Sequence, residues 1–228
     1  MRQVVLDTET TGLEAANGHR IIEIGAVQIE NREVTNTEFH KYIQPNRTVG
    51  DSVNIHGITD KFLINKPQFN QISEELLSFI EGATLIIHNA PFDLGFLDNE
   101  LKLNGIQKKI QDLCPVIDTL ELSKKQRPGT MHNLDALCRR FGVDTTARTR
   151  HGALLDAQIL AQVYIAMTGG QSNLFQEIQS KLDVAMLFIS HDLSVVRYLS
   201  DRIAVMYGGS IVEIGETDSI CDSPRHPY

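Results

Sequence analysis

The sequence predicts an α/β domain, a mixed sheet flanked by helices, and three observations predict it. Alternating apolar runs joined by short polar turns open the chain. An amphipathic stretch then leads to a short, wholly apolar run, TLIIHNA at residues 84–90. From there strand-like and helix-like segments alternate, the pattern of a sheet covered by helices.

Gln3 to Glu9 reads as a strand, followed by the polar, glycine-containing loop TTGLEAANGHR. IIEIGAVQIEN, from Ile21 to Asn31, reads as a second strand. A turn at Asn31–Glu33 leads to a third over Val34–Ile43, ended by Pro45. Short connections make these three an antiparallel meander. Gln68 to Phe79 carries Phe69, Ile72, Leu76 and Leu77 at helical spacing. TLIIHNA suits a strand buried on both faces. Pro91 fits a first helical turn, and the helix it opens ends at Gly105. VIDTLEL reads as another strand and NLDALCRRFG as a short helix stopped by Gly142. Ala153 to Met167 is a strongly apolar helix, so this domain is expected to cover residues 1–170.

After Gly170 the character restarts. QEIQSKLD looks like a helix end, VAMLFIS a buried strand and SVVRYLSD a short helix. RIAVMYGGSIVEIGE reads as a β-hairpin turning at Gly208–Gly209. Residues 171–228 are therefore expected to form an incomplete α/β appendage. No internal repeat links the two parts, and no low-complexity linker separates them.

A chain of 228 residues with 42% hydrophobic and 22% charged residues is ordinary for a globular protein. Its net charge of −8 argues against broad electrostatic binding to nucleic acid, though not against a local site where metal ions offset acids. Cys114, Cys138 and Cys221 have no metal-ligand spacing and form no even framework, so free thiols in a reducing compartment are expected. The N-terminus enters a strand without the basic and apolar regions of a secretory signal. No apolar stretch approaches the ~18–20 residues a membrane span needs. A cytoplasmic setting, with no membrane partner, is the expectation.

Three segments carry candidate chemistry. In VVLDTETTG, Asp7 and Glu9 lie two apart on a strand and share a face, with Thr8 opposite. Carboxylates aimed together repel, and a hard divalent cation between them resolves the conflict. D-x-E alone is more often two solvated acids at a strand end. HNAPFDLGFL puts Asp93 in the first turn of a helix, where the helix dipole favours an acid; by itself that is only an electrostatic cap. Asp118, in VIDTLEL, is assigned a structural role. In RHGALLDAQIL, His151 and Asp156 would be separated by roughly 140° on one continuous helix. They converge only if His151 lies on the preceding loop, and Gly152 supplies that break. A carboxylate among Leu154, Leu155, Ile159 and Leu160 is costly without a partner, which favours function.

VLDTETTG, HNAPFDLGFL and HGALLDA together resemble the three motifs of the DEDDh (DnaQ-like) 3′→5′ exonucleases. IIEIGAV, VNIHGITDKFL, DTLELSKK, NLDALCRRFGVD and AQILAQVYIAMTGGQ extend the likeness toward the proofreading, epsilon-subunit branch that serves bacterial DNA polymerase III. The resemblance covers residues 2–171. It implies a ribonuclease H-like fold and hydrolysis of the 3′-terminal phosphodiester of DNA, releasing a nucleoside 5′-monophosphate.

By that resemblance Asp7 bridges two divalent ions, Mg²⁺ or Mn²⁺. Glu9 and Asp156 hold the one carrying the nucleophile, and Asp93 supports the other. Hard oxygen ligands suit those metals, and two ions about 4 Å apart can activate a water and stabilise the leaving oxygen. His151 is placed to accept the proton of the water. Thr8, Thr10 and Gly12 would approach the terminal nucleotide, and Ile55, His56 and Phe92 match positions expected to contact its base and sugar. His88 and Asn89 read as strand-end residues with local hydrogen bonds; His19, His40 and His132 carry no signal. Single-stranded or frayed DNA 3′ ends are the implied substrate. A ribonuclease trimming RNA 3′ ends and an idle polymerase- or clamp-binding module are the alternatives.

From about Phe175, LFISHDLSVVRYLSDRIAVMYGGSIVEIGET and SPRHPY resemble the C-terminal part of an oligopeptide or dipeptide ABC transporter ATPase. His191 matches that family's switch histidine. No G-x-x-x-x-G-K-[ST] phosphate loop occurs in the chain, so the resemblance implies a fragment without ATP hydrolysis. A natural fusion, a truncation and an artefact all remain open as its origin. QSNLF resembles a sliding-clamp peptide, with Gln171, Leu174 and Phe175 as its contacts. The polymerase III alpha subunit is the other implied partner, although the segment that would tether it is replaced here.

Overall fold

The computed structural model describes the backbone of residues 2–146, 151–182, 187–190, 196–197 and 200–225, and the side chains of these except 170–182. Two compact units divide the chain, Met1–Met167 and Thr168–Tyr228.

The first unit is a five-stranded mixed sheet. β1 (Gln3–Thr10), β2 (Ile21–Glu30) and β3 (Glu33–Tyr42) form the antiparallel meander. The hairpin between β2 and β3 closes on Asn31 and Arg32, whose φ values of 50° and 65° are the left-handed conformation that lets a two-residue turn match the twist of its strands. β4 (Thr84–Ile87) pairs parallel with β1, and β5 (Val116–Asp118) parallel with β4. The resulting order is β3-β2-β1-β4-β5.

Strand alternation decides what covers each face. Val4 and Leu6 of β1, with Ile24 and Ala26 of β2, face one core. That core also holds Phe69, Ile72, Leu76 and Ile80 of α3 (Phe69–Ile80), and Leu94, Leu97 and Leu101 of α4 (Ala90–Leu103). Val5, Val27 and Ile29 face the other, against Ala157, Leu160, Ala161 and Tyr164 of α8 (Ala153–Leu182). Helices thus lie on both sides of the sheet, and β1 and β4 are buried between them. An ion pair fixes α4 at the sheet: Arg20 meets both oxygens of Glu100 at 2.6 Å, and Glu100 is only 1% exposed. Such a forked pair orients as well as attracts.

Four short helices escape the periodicity argument: α1 (Val53–His56), α2 (Asp60–Leu63), α5 (Ile110–Leu113) and α6 (Thr119–Gln126). α7 (Leu134–Phe141) is capped by the Asn133 side chain and stopped by Gly142 in the left-handed conformation, as expected from NLDALCRRFG.

Several elements differ from expectation. TLIIHNA is a strand only to Ile87, because Asn89 turns left-handed (φ 65°) and α4 starts at Ala90. VIDTLEL is strand only to Asp118, whose carboxylate caps Leu120 and Glu121 and starts α6. α8 continues to Leu182 instead of ending near Met167.

In the second unit the hairpin forms as expected: β6 (Arg202–Tyr207) and β7 (Ser210–Glu216) turn through Gly208 and Gly209, followed by α9 (Thr217–Asp222). VAMLFIS does not form the buried strand expected of it over its described part. Residues 187–190 have no regular structure, with Leu187 92% and Ile189 85% exposed. Among the described residues the two-stranded sheet is made of β6 and β7, and residues 187–190 do not pair with it. His191 lies outside the described residues. Gln171, Leu174 and Phe175 fall in α8, with side chains outside the described set. Among the described residues no helix is long and apolar enough to cross a membrane.

Candidate active site

β1 brings Asp7 and Glu9 to its C-terminal end on the face covered by α8. Their antiparallel partners on β2 are Gly25 and Glu23, and the register shifts between Glu9 and Thr10. Such an irregularity at a strand end re-aims side chains. α8 starts at Ala153, just past Gly152, so His151 stands on the loop and Asp156 lies in the first turns of the helix. His151 Nδ1 and Asp156 Oδ2 are 3.1 Å apart. The break at Gly152 therefore does what the spacing required.

Glu9, His151 and Asp156 each offer an oxygen or nitrogen lying within 4.8 Å of the others. Glu9 is 9% and Asp156 5% exposed, whereas the His151 side chain is half exposed. Two buried carboxylates this close repel unless a cation or a proton intervenes, so the donor set suits a hard divalent ion. Asp7 and Asp93 are not part of that group of three.

Asp93 approaches from the other side of β1. Thr8, on the strand face opposite Asp7 and Glu9, donates its hydroxyl to Asp93 Oδ1 at 2.6 Å. Asp93 is 2% exposed, and burial raises its pKa to about 7. Hydrogen bonds from the Thr8 hydroxyl and nearby backbone amides pull it down, while the charge of Asp118 pushes it up. Asp118 itself is a cap: Oδ1 accepts from Asn89 N–H and Oδ2 from Ala90 N–H, each at 3.1 Å, and Oδ1 accepts again from Leu120 N–H at 2.8 Å. One carboxylate thus starts both α4 and α6, consistent with a structural role.

The other expected substrate contacts differ in exposure and in their local partners. Thr10 donates its hydroxyl to the Gly12 carbonyl at 2.6 Å. A Cβ on Gly12 would stand 2.3 Å from the His19 ring, so a larger residue there would require that side chain to shift. Ile55 is 54% exposed on α1. His56 beside it is buried; its Nδ1 accepts from Ile58 N–H at 3.0 Å, so Nε2 carries the proton. That Nε2 is buried. Burial lowers the pKa of His56, with Glu23 opposing and His151 adding to the shift, and a hydrogen bond to the Thr10 backbone holds the pKa of the ring up. Phe92 is partly buried, its ring 5.0 Å from that of Phe96.

Local hydrogen bonds hold His88 to Thr119 (2.9 Å) and His132 to Ser123 (2.9 Å). Sequence reasoning missed Glu23, His40 and His19. Glu23 is 3% exposed, in register with Glu9 and bonded to His40 at 2.7 Å. An acid within the otherwise apolar IIEIGAV is its one mark in the sequence, and alternation alone assigns it to the solvent face.

The family described as "Exonuclease" matches residues 4–164. DNA polymerase III subunit epsilon of Pasteurella multocida is 50% identical over 216 residues, 89% of this chain and 85% of that one. The same subunit of Haemophilus influenzae is 52% identical over 184 residues (78% and 72%), and that of Escherichia coli 50% over 179 (76% and 74%). Among solved structures, exonuclease X in complex with 5′ overhanging duplex DNA superposes with a TM-score of 0.53 at 23% identity, covering 75% of this chain and 93% of that one. A 3′-exonuclease recognising a histone mRNA stem-loop gives 0.63 at 20% identity, covering 73% and 63%. At such identities these two likenesses speak for the ribonuclease H-like fold alone.

Proposed function

This chain belongs to the exonuclease family, and from that premise we propose how its residues carry out the reaction. It is a 3′→5′ exodeoxyribonuclease of the DNA polymerase III epsilon kind, with a proofreading role in replication. The observation that carries the residue-level reading is the meeting of Glu9, His151 and Asp156 within 4.8 Å, with both acids buried.

The reading is of the DEDDh type, with Asp7, Glu9, Asp93 and Asp156 holding two divalent ions, Mg²⁺ or Mn²⁺. When bound, those ions neutralise the phosphate and lower the pKa of water. Ionised Asp156 can only accept, so it takes the Nδ1 proton of His151 and leaves Nε2 as the basic nitrogen. Nε2 removes a proton from the attacking water. The water oxygen bonds to phosphorus as the bond to the 3′-oxygen of the penultimate nucleotide breaks. A nucleoside 5′-monophosphate leaves, and the shortened strand keeps its 3′-oxygen, protonated from solvent.

Buried His56, whose Nδ1 is taken by Ile58 N–H, presents Nε2–H as a donor for a polar contact to the terminal nucleotide. Exposed Ile55 and half-buried Phe92 supply apolar surface for a base or sugar. Thr8, Thr10 and Gly12 are the remaining contacts in this reading. Frayed or single-stranded DNA 3′ ends are the substrate in this reading. The polymerase III alpha subunit is a partner, the sliding clamp docks through Gln171, Leu174 and Phe175, and the setting is cytoplasmic. For residues 171–228 we retain the likeness to an ABC ATPase fragment, without catalytic activity; the hairpin turning at Gly208–Gly209 is consistent with it. Residues 1–170 form the catalytic domain.

The test is digestion of matched 5′-labelled DNA and RNA single strands by the purified full chain, beside Asp7→Ala. Stepwise shortening from the 3′ end, faster on DNA and absent in the variant, is expected. Faster RNA turnover, or activity that survives Asp7→Ala, would overturn the reading.

A further inference from the structure

We propose that Glu23 is a positioning residue for hydrolysis. Its buried carboxylate holds the first turn of α8 on β2, and so sets His151 and Asp156 against Glu9. The proposal rests on the exonuclease reading above, and it concerns a residue outside the three motifs.

Two observations carry it independently. Glu23 Oε2 accepts from the backbone N–H of Ala153, the first residue of α8, at 3.2 Å. That N–H is one of the donors a helix start leaves unmet, and a carboxylate there also suits the helix dipole. Oε1 is held by His40 Nε2 at 2.7 Å, and the Tyr42 hydroxyl also bonds the carboxylate. With three partners, an acid that is 3% exposed has both oxygens fixed.

Gly25 supplies the second observation. It lies two residues along β2, hence on the same face, and a Cβ there would stand 2.1 Å from Leu154 N and 2.3 Å from Ala153 C. The backbone of α8 therefore rests directly on the strand at this point. Glu23 and Gly25 together form a seat: one contributes an acceptor, the other an absence of side chain. His151 lies two residues before the seated Ala153 and Asp156 three after it, with Asp156 N–H bonded to Gly152 O at 2.9 Å. Glu9 faces Glu23 across the β1–β2 ladder. The seat thus ties the start of α8, with His151 and Asp156 either side of it, to the ladder that carries Glu9. An ångström of misplacement at reacting groups can cost about 100-fold in rate.

Glu23→Gln and Glu23→Met distinguish this role from bulk stability. Both keep the length of the side chain, and only Gln keeps an acceptor for Ala153. Steady-state digestion of a DNA single strand by the full-length chain gives kcat and KM, and amide hydrogen exchange reads the first turn of α8. In Glu23→Met, kcat falls about 10- to 100-fold with KM within about threefold, and the Ala153 amide exchanges faster. In Glu23→Gln, slow exchange returns and kcat lies within about fivefold of the parent. A folded Glu23→Met with parental kcat overturns the proposal, as does an effect confined to KM. Should Glu23→Met fail to fold, Glu23→Gln decides: slow exchange with near-parental kcat supports the anchor, and slow exchange with a 100-fold loss refutes it. Failure of the exonuclease reading looks different, because the parent chain itself would then not digest DNA, or would digest it as well with Asp7→Ala.

Discussion

His151 donates from Nδ1 to Asp156 Oδ2 across 3.1 Å, although the histidine is half exposed and the aspartate almost wholly buried. The buried partner fixes the ring of the exposed one, leaving Nε2 to work toward solvent and substrate. Removing the base should therefore separate catalysis from folding. His151→Gln is expected to lower kcat about 10²- to 10⁴-fold, the usual worth of a positioned general base. Its melting temperature and divalent-ion affinity should stay near the parent's. Stopped-time digestion paired with calorimetric Mn²⁺ titration checks this, and a loss below tenfold would remove His151 from the mechanism.

Asp93 titrates near 7 in the folded chain because burial disfavours its charge, against about 3.9 when unfolded. A carboxyl whose folded pKa is raised favours the native state through its proton. Below about pH 4 both states hold that proton and nothing is lost. As pH rises from there to about 7 the unfolded chain ionises first, and the metal-free fold loses stability on the order of a few kcal/mol. Asp93→Asn, which keeps the shape and can accept from Thr8, should therefore melt at a higher temperature than the parent at pH 8 in chelator. Near pH 4 the two should coincide. The same variant should be inactive. Thermal melts across this range check it, and a parent more stable than Asp93→Asn at pH 8 would contradict the burial argument.

Much of this arrangement can be read from residue order alone. Period-two patterning places Asp7 and Glu9 on one face, and Gly152 announces that His151 and Asp156 belong to a loop and a helix. Glu23 could not be read so, because an acid in an alternating strand normally marks the solvent face. Only the cross-strand register, which pairs it with Glu9, puts it inside. VIDTLEL misleads for a related reason: Val116 and Ile117 favour strand, but Asp118 satisfies four backbone amides and turns the chain from Thr119 onward into helix. The described end of the apolar run, residues 187–190, has no regular structure, an outcome set by the rest of the fold that no local composition contains. Asp93 reads as a helix-start acid in sequence; its link to Thr8 from the far face of β1 needs the sheet to be built first.

Asp118 offers a structural control beside the catalytic acids. It caps α4 and α6 together, and each cap is worth about 0.5–2 kcal/mol. Asp118→Ala should thus cost about 1–4 kcal/mol in denaturant unfolding. Asp118→Asn, which still accepts with one oxygen, should cost less. The charge of Asp118 also raises the pKa of Asp93, so the Asn variant should lower it. A His151→Gln chain, by contrast, should lose activity while unfolding at nearly the parental denaturant concentration. If Asp118→Ala unfolds like the parent, the shared cap is not holding either helix.

Removing divalent ions should act on stability as well as on turnover. Glu9 and Asp156 are buried and offer oxygens within 4.8 Å of one another, so a cation between them lowers their mutual repulsion. An ion that binds only the folded state adds about 2.7 kcal/mol at one hundred times its dissociation constant. Chelated protein should therefore be inactive and melt lower, and Mn²⁺ or Mg²⁺ should restore both properties in a concentration-dependent way. Binding should release protons between pH 6 and 7, because Asp93 must ionise to serve as a ligand. Glu9→Gln and Asp156→Asn each remove one of the repelling charges. They should melt higher than the parent in chelator, and gain less from Mn²⁺. Equal gains in all three chains would show that the ions bind elsewhere, and the acids at the end of β1 and in the first turns of α8 would need another explanation.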